Sequence, residues 1–179
     1  AVVEGCNALL ECWYPGQEGG TAMADILFGD VNPGAKMPVT VARDAGQVPV
    51  FYNRKPSARR GYVFEEISPL FPFGYGLSYT RFDIGKPRLS SHRIGVGGAV
   101  TVEVDVRNAG DRAGDEVIQL YVRDQTASVT RPIKELKGFE RITLAAGEAR
   151  TVRIALNPDA FALWNLDMEE VVEPGLFDI

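Results

Sequence analysis

The sequence predicts a composite α+β fold, a partial α/β (βαβ) segment followed by an antiparallel β-sandwich. Three observations carry that expectation. Residues 15–40, PGQEGGTAMADILFGDVNPGAKMPVT, place a turn, a short helix and a second turn in an order with little freedom. Residues 100–106, VTVEVDV, alternate apolar and polar side chains, the period of a half-buried strand. Further runs of the same period follow, separated by turn residues and by no helical pattern, as in a sandwich.

In the first segment, residues 1–45, Ala8, Leu9 and Leu10 end an expected strand. Pro15-Gly16 turns the chain, and Thr21 is the expected N-cap of a helix over Ala22 to Phe28, with Met23, Ile26 and Leu27 spaced to bury one face. Gly29 ends that helix, and Asn32-Pro33-Gly34 turns the chain again. Met37, Val39 and Val41 then begin a second strand. Residues 46–81 contain Pro49, Pro56, Pro69 and Pro72 with many aromatics and no clean period, and read as an extended interdomain linker. Its Phe71, Phe73, Tyr75 and Tyr79 supply apolar area suited to packing between domains.

From Phe82 to Ile179 the texture is that of strands. Val100, Val102, Val104 and Val106 share one face, Asn108–Gly114 forms a polar loop, and Ile118, Leu120 and Val122 line the next strand. The run from Lys134 to Leu144 changes phase around Gly138, which predicts a β-bulge there. Val152, Ile154 and Leu156 repeat the alternation, and the closing run LFDI reads as an edge strand cut short at Ile179.

Composition excludes several function classes. The net charge of −5 is spread evenly, with 6 basic and 8 acidic side chains in residues 1–80 and 13 and 16 in the remainder, so no electrostatic footprint for nucleic acid exists. No apolar run approaches the ~20 residues of a membrane span, and no basic stretch precedes a short apolar one as in a signal peptide. AVVEGCNALLECW, the first residues, read as the interior of a domain. Cys6 and Cys12, the only cysteines, are expected to be buried free thiols.

The search for chemistry is mostly negative. His92, the single histidine, lies in SSHRIG without Cys or His partners nearby and reads as a solvated loop residue. Gly95, Gly97 and Gly98 lack the spacing of a phosphate loop and read as a turn. Asp111, Asp115 and Glu116 lack the ligand alternation of a calcium loop and read as turn chemistry. Neither a metal nor a cofactor is expected. Retaining glycoside hydrolysis requires two carboxyl groups about 5–5.5 Å apart; Glu4, Glu11, Glu18, Glu65 and Glu66 are the candidates, and none has a local partner whose spacing makes a pair. Glu18 stands beside a helix N-terminus, which suits a charged carboxylate rather than a proton donor, so it reads as fixing the turn and helix. Arg54, Lys55, Arg59 and Arg60 cluster within NRKPSARRG, either as a solvated loop or as a contact for substrate or a neighbouring domain.

Residues 15–40, together with PLFPFGYGLSYTRF at 69–82 and VTRPIKELKGFERITLAAGEARTV at 129–152, resemble the C-terminal portion of glycoside hydrolase family 3, the β-glucosidases and β-xylosidases. Members are several times longer than this chain. The resemblance implies the end of an α/β sandwich domain over 1–45, the linker over 46–81 and a fibronectin type III-like β-sandwich over 82–179. It implies a parent that removes terminal β-D-glucosyl residues with retention, or acts on β-D-xylosides, without a cofactor. In the family the nucleophile is an aspartate of an N-terminal barrel and the acid/base a glutamate of the domain after it. Both precede the segment matching PGQEGG, so no catalytic residue is expected here. Loops from these late segments approach the sugar pocket in the family, making Trp13, Glu18, Arg59 and Arg60 the candidates for substrate binding. The implied partners are the remainder of the parent enzyme and its β-glucoside or oligosaccharide substrate, with a homo-oligomer left open. A periplasmic or secreted parent is favoured over a cytoplasmic one. Alternatively, the sandwich serves as a non-catalytic module that binds carbohydrate or protein, although a partial βαβ unit has no use in such a module. The first segment is expected to expose apolar surface that its neighbours in the parent would cover.

Overall fold

A computed structural model describes residues 3–56 and 66–179. A 3-10 turn at Val3–Gly5 precedes an irregular segment, and helix α1 spans Gly19–Phe28. The helix begins two residues before the expected N-cap: Glu18 occupies that position without a side-chain hydrogen bond, and Thr21 lies in the first turn. Consecutive glycines at 19 and 20 let the backbone start helical geometry early, so the capping propensity of Thr21 goes unused. Gly29 adopts φ 86°, the left-handed end that removes the Cβ penalty, and its N–H donates to Ile26 O. Met23 and Ile26 are half-buried, whereas Leu27 is exposed, so the covered face is narrower than the spacing suggests.

Neither expected strand of the first segment forms. Residues 8–10 run irregularly, with Leu9 and Leu10 exposed, because no other described backbone lies alongside to complete a ladder. The run at Met37–Val41 bends at Pro38 and Val39. Proline has no N–H to give, and what remains is an isolated antiparallel bridge between Val41 and Phe71. Cys6 is exposed and Cys12 only half-buried, contrary to expectation, since the irregular segment around them packs against little.

The sandwich follows the alternation read from the sequence. Its first sheet is built on β3 (Val100–Asn108), paired along its length with β6 (Ala149–Leu156). The other edge of β3 is shared by β1 (Phe82–Ile84), at Asn108 to Val106, and β2 (Arg88–Leu89), at Glu103 and Val102. The second sheet orders β5 (Glu135–Leu144), β4 (Gly114–Asp124) and β9 (Phe177–Asp178), all antiparallel. A 3-10 turn at Pro158–Phe161 leads to a small hairpin of β7 (Leu163–Trp164) and β8 (Glu170–Val171).

The valines of β3 meet Ile118, Leu120 and Val122 of β4 between the sheets, with Leu144, Val152 and Leu156 closing the core. The expected bulge is present: Leu120 lies opposite Gly138 but Tyr121 opposite Leu136, so Lys137 is the extra residue. Gly138 is there for space. A Cβ at that position would stand 2.5 Å from Ile154 Cγ2 on β6, and the branched Ile154 side chain has few rotamers in which to retreat.

Asp115 and Glu116, expected in a turn, belong to β4, while Asp111 does lie in the turn before it. His92 lies exposed in a bend, and Gly97 makes a positive-φ turn before β3. On the outer face of the first sheet, Arg88 grips Asp105 through both guanidinium nitrogens at 2.5 and 3.0 Å, and Thr151 donates to the same carboxylate at 2.6 Å. The Arg88 hydrogen bonds, then that of Thr151, hold the Asp105 carboxyl down to about 2, against an ordinary 3.8.

Gly138→Ala is expected to cost roughly 1–3 kcal/mol through the clash with Ile154, read as a lower midpoint in thermal or denaturant unfolding. Asn108 is wholly buried; its Nδ2 donates to Arg112 O and Leu144 O, and its Oδ1 accepts from the Thr80 hydroxyl and the Gly110 N–H. Asn108→Ala strands these partners at once and should cost on the order of 3 kcal/mol by the same measurement. A carboxyl whose folded pKa lies below its unfolded one adds stability above the unfolded value that is lost as pH falls through the folded value. For Asp105 that window runs from 3.8 down to about 2. NMR titration should find the depressed midpoint in the native protein and a return toward 3.8 in Arg88→Ala.

Candidate functional site

The densest set of polar and aromatic contacts outside the core is a seam where residues 32–54 and 70–80 lie on the outer face of β4 and the start of β5. It begins just beyond α1. The Asn32 side chain donates from Nδ2 to the Ser78 hydroxyl at 2.9 Å, and its Oδ1 accepts from the Tyr79 N–H at 2.8 Å. Tyr79 returns the link by donating its hydroxyl to Ile26 O at 2.8 Å, and Arg112 lies 5.8 Å over its ring. Two residues on, Gly34 is buried against β4: a Cβ there would fall 2.6 Å from Asp115 Cβ and 3.0 Å from its carbonyl oxygen.

Lys36 supplies the seam's nearly buried charge. Its Nζ lies 2.7 Å from Glu116 Oε1 and also donates to Gly76 O at 3.3 Å. With little water around either group, the attraction is screened far less than at the surface. Asp115, the neighbouring carboxylate, turns the other way, accepting from Thr143 Oγ1 at 2.7 Å and Arg141 Nε at 2.8 Å. Thr143 first, then Arg141, keeps its carboxyl below the usual carboxylate range.

The linker joins residues 35–41 by backbone pairing: Met37 N–H donates to Tyr75 O at 2.7 Å and Gly74 N–H to Met37 O at 2.8 Å. Gly74 has φ 80°, and a side chain there would strike Gln119 Oε1 at 2.1 Å. Gln119 uses that approach to donate to Gly74 O at 3.1 Å. Next to it Tyr52 stacks on Phe73 at 4.2 Å, meets Tyr121 edge-on at 6.0 Å, and accepts from Leu136 N–H at 3.1 Å. Lys134 Nζ lies 4.5 Å from the Tyr121 ring centre, and burial pushes the Tyr121 hydroxyl up in pKa.

The seam does not include the residues nominated from the sequence. Trp13 is about half exposed, in the left-handed region at φ 48°, its N–H donating to Glu11 Oε1 at 3.0 Å. Beside it Tyr14 is 99% exposed. Glu18 contributes its carbonyl, which accepts from Ala22 N–H at 3.0 Å, rather than its carboxylate. Glu66 pairs with Arg43 at 3.1 Å and accepts from Ser68. Arg59, Arg60 and Glu65 lie outside the described residues. Among the described residues no group of three or more His, Cys, Asp or Glu is arranged to hold a metal. With its carboxylates engaged in ion pairs and turns, the arrangement fastens two parts of the chain together.

Sequence reasoning missed Asn32, Lys36, Glu116 and Tyr52 as the seam's anchors. One signal was available: Glu116 shares the parity of Ile118, Leu120 and Val122, and a charge in register with a buried face calls for a partner. Asn32 was hidden inside a turn tripeptide. Nothing in the sequence pairs Lys36 with a residue 80 positions away.

Residues 2–79 match the glycosyl hydrolase family 3 C-terminal domain, and residues 116–179 match a fibronectin type III-like domain. A β-xylosidase of Formosa agariphila is 49% identical over 99% of this chain and 25% of its own length. A periplasmic β-glucosidase of Salmonella typhimurium is 46% identical over 97% of this chain and 24% of its own. Among solved structures, a β-glucosidase of Erythrobacter marinus superposes with a TM-score of 0.95 at 49% identity, over 98% of this chain and 23% of that one. A Listeria innocua β-glucosidase in complex with glucose gives 0.92 at 40% identity, over 98% and 26%. The chain spans about a quarter of the length of these relatives. With residues 2–79 and 116–179 matched in order, and the similarity to β-xylosidase and β-glucosidase sequences running over 97–99% of the chain, the chain belongs to glycoside hydrolase family 3, as part of that family's C-terminal portion.

Proposed function

We propose that this chain is the C-terminal part of a retaining β-glycosidase that releases single β-D-glucosyl residues from non-reducing ends. The observation that carries this reading is the similarity to β-glucosidases and β-xylosidases over 97–99% of the chain. Both catalytic carboxylates stand on preceding polypeptide. In support, Glu11 and Glu66 are committed to local contacts here, and the Glu18 carboxylate projects from a helix start. The domains divide at 1–45, 46–81 and 82–179, and the seam braces the α/β segment against the sandwich. Exposed Leu9, Leu10, Leu27 and Phe28 form the surface that the preceding polypeptide covers. Trp13, Glu18, Arg59 and Arg60 border the outer part of the sugar pocket, with exposed Trp13 offering a ring face and the arginines offering donors to hydroxyl groups.

A β-D-xyloside is the second substrate reading, favoured by the relative named a β-xylosidase. The parent works in the periplasm or outside the cell, as the name of the Salmonella relative suggests. A free-standing carbohydrate-binding sandwich is disfavoured by the seam, which leaves the outer face of β4 covered rather than available.

Aryl β-glucosides and β-xylosides test the reading directly. The isolated chain should hydrolyse neither above buffer, while the parent hydrolyses one or both. Turnover by the isolated chain that disappears in Glu18→Gln or Glu66→Gln would place catalytic carboxylates within it and overturn the proposal. Carbohydrate binding by residues 82–179 alone would favour the module instead.

A further inference from the structure

We infer that the cavity between Pro56 and the loop joining β4 to β5 is a saccharide subsite that holds one neutral sugar ring. Its volume is about 290 Å³, close to the lower limit of small-molecule pockets at about 300 Å³. One ring fits, and a longer chain would have to leave through the mouth. The walls are already fixed. Asp124 Oδ1 accepts from the Thr126 N–H at 3.1 Å, and the Gln125 N–H donates to Leu176 O at 3.0 Å. Midway along the loop, the Ser128 N–H and hydroxyl both donate to the Glu173 carboxylate, at 2.9 and 2.5 Å. Arg131 Nη2 donates to Glu135 Oε2 at 2.6 Å, and the Ile133 N–H donates to Arg54 O at 2.9 Å, two residues before Pro56. A lining held in place before a ligand arrives loses little freedom on binding.

Val129, Pro132 and Pro56 give the cavity apolar surface, and Asp124, Thr130 and Arg131 give it polar groups. Among the described residues, Asp124 Oδ2 and the Thr130 hydroxyl have no hydrogen-bond partner, and Arg131 Nε is buried without one. A buried donor left unpaired is costly, so one that a native fold retains calls for an acceptor from outside the chain. Burial also pushes the Asp124 carboxyl up in pKa, as befits an acceptor poorly served by water. Charge then selects the ligand. An anion would face Asp124 and a cation would face Arg123 and Arg131, whereas a hydroxyl donates to the first and accepts from the others. A sugar ring sets several hydroxyls around an apolar C–H face, which matches a lining divided in the same way. Pro56 belongs to the linker, so the site needs linker and sandwich together, unlike a free-standing sandwich module.

The test follows backbone amide shifts of the whole chain by NMR as D-glucose, D-xylose or cellotriose is added, with glycerol and D-glucosamine as controls. Saturable shifts at Asp124, Thr126 and Thr130 are expected for a monosaccharide, with a Kd in the millimolar range. Cellotriose moving the same amides at lower concentration than glucose supports the site and makes the end of a longer chain its ligand rather than a free sugar. Asp124→Asn keeps the acceptor for the Thr126 N–H, and Thr130→Val keeps the side-chain shape, so both should leave the rest of the spectrum in place. Each should raise Kd about threefold or more, and Pro56→Gly should do the same by removing the linker wall. Absence of saturable shifts with all three sugars overturns the inference, as does a response to glycerol as strong as that to glucose. Tighter binding of D-glucosamine than of glucose overturns the selection of a neutral ring. An unchanged Kd in all three variants places the binding elsewhere and overturns the assignment to this cavity.

Discussion

The amide of Asn108 is the contact on which the arrangement of linker and sandwich depends. It is fully enclosed, and each side of the amide serves a different element: the nitrogen holds Leu144 of β5 and the loop at Arg112, while the oxygen holds Thr80 at the end of the linker and Gly110. Its backbone adds bonds to the turn between β5 and β6, accepting from Gly147 and donating to Glu148 O. An amide suits this position because it has donors and acceptors in one plane; a carboxylate would turn an acceptor toward carbonyl oxygens, and an apolar residue would leave buried polar groups unpaired. The linker must consequently pass at one place and in one direction, and the aromatic run before Thr80 is delivered onto β4.

From that fixed end, the seam is assembled by close backbone approach. Gly34 on Asp115 and Gly74 on Gln119 are contacts that a single methyl group would prevent. They bring polar backbone near enough for Lys36, Gln119 and Tyr52 to complete hydrogen bonds that would otherwise be lost on burial. The Lys36–Glu116 pair adds direction more than net energy, since desolvating two charges offsets much of their attraction. Register and close fit hold the two parts together.

Period-2 alternation located β3, β4 and β6, because each buries one face in the core and carries less buried, mostly polar residues on the other. The phase change at Gly138 located the bulge for the same reason: it is a disturbance of a regular signal. Where structure depends on distant neighbours, the pattern misled. Residues 8–10 and 37–41 look strand-like, but apolar composition cannot supply a hydrogen-bonding neighbour, and Pro38 breaks the second run. Residue type favours burial for Cys6 and Cys12, but burial depends on what packs around them, and there Cys6 is exposed and Cys12 only half-buried. The family was legible in three long motifs, whereas the seam was not, because its anchors are separated from their partners by 40 to 84 residues. Of the pocket candidates, Trp13 and Glu18 have describable geometry that neither pattern nor propensity foretold.

β4 carries one further consequence. Its inward side chains are buried, and the outward ones, Asp115, Val117, Gln119 and Tyr121, are all half-buried beneath the residues that cross them. A strand covered on both faces behaves as an interior strand even at the outside of a two-sheet sandwich. Modularity is the casualty. The stretch from Phe82 onward resembles a portable domain that could be excised, shuffled or grafted at its first strand, yet its outer sheet is finished by residues 32–54 and 70–80. Any recombination that respects this architecture, natural or engineered, has to move that polypeptide together with the sandwich.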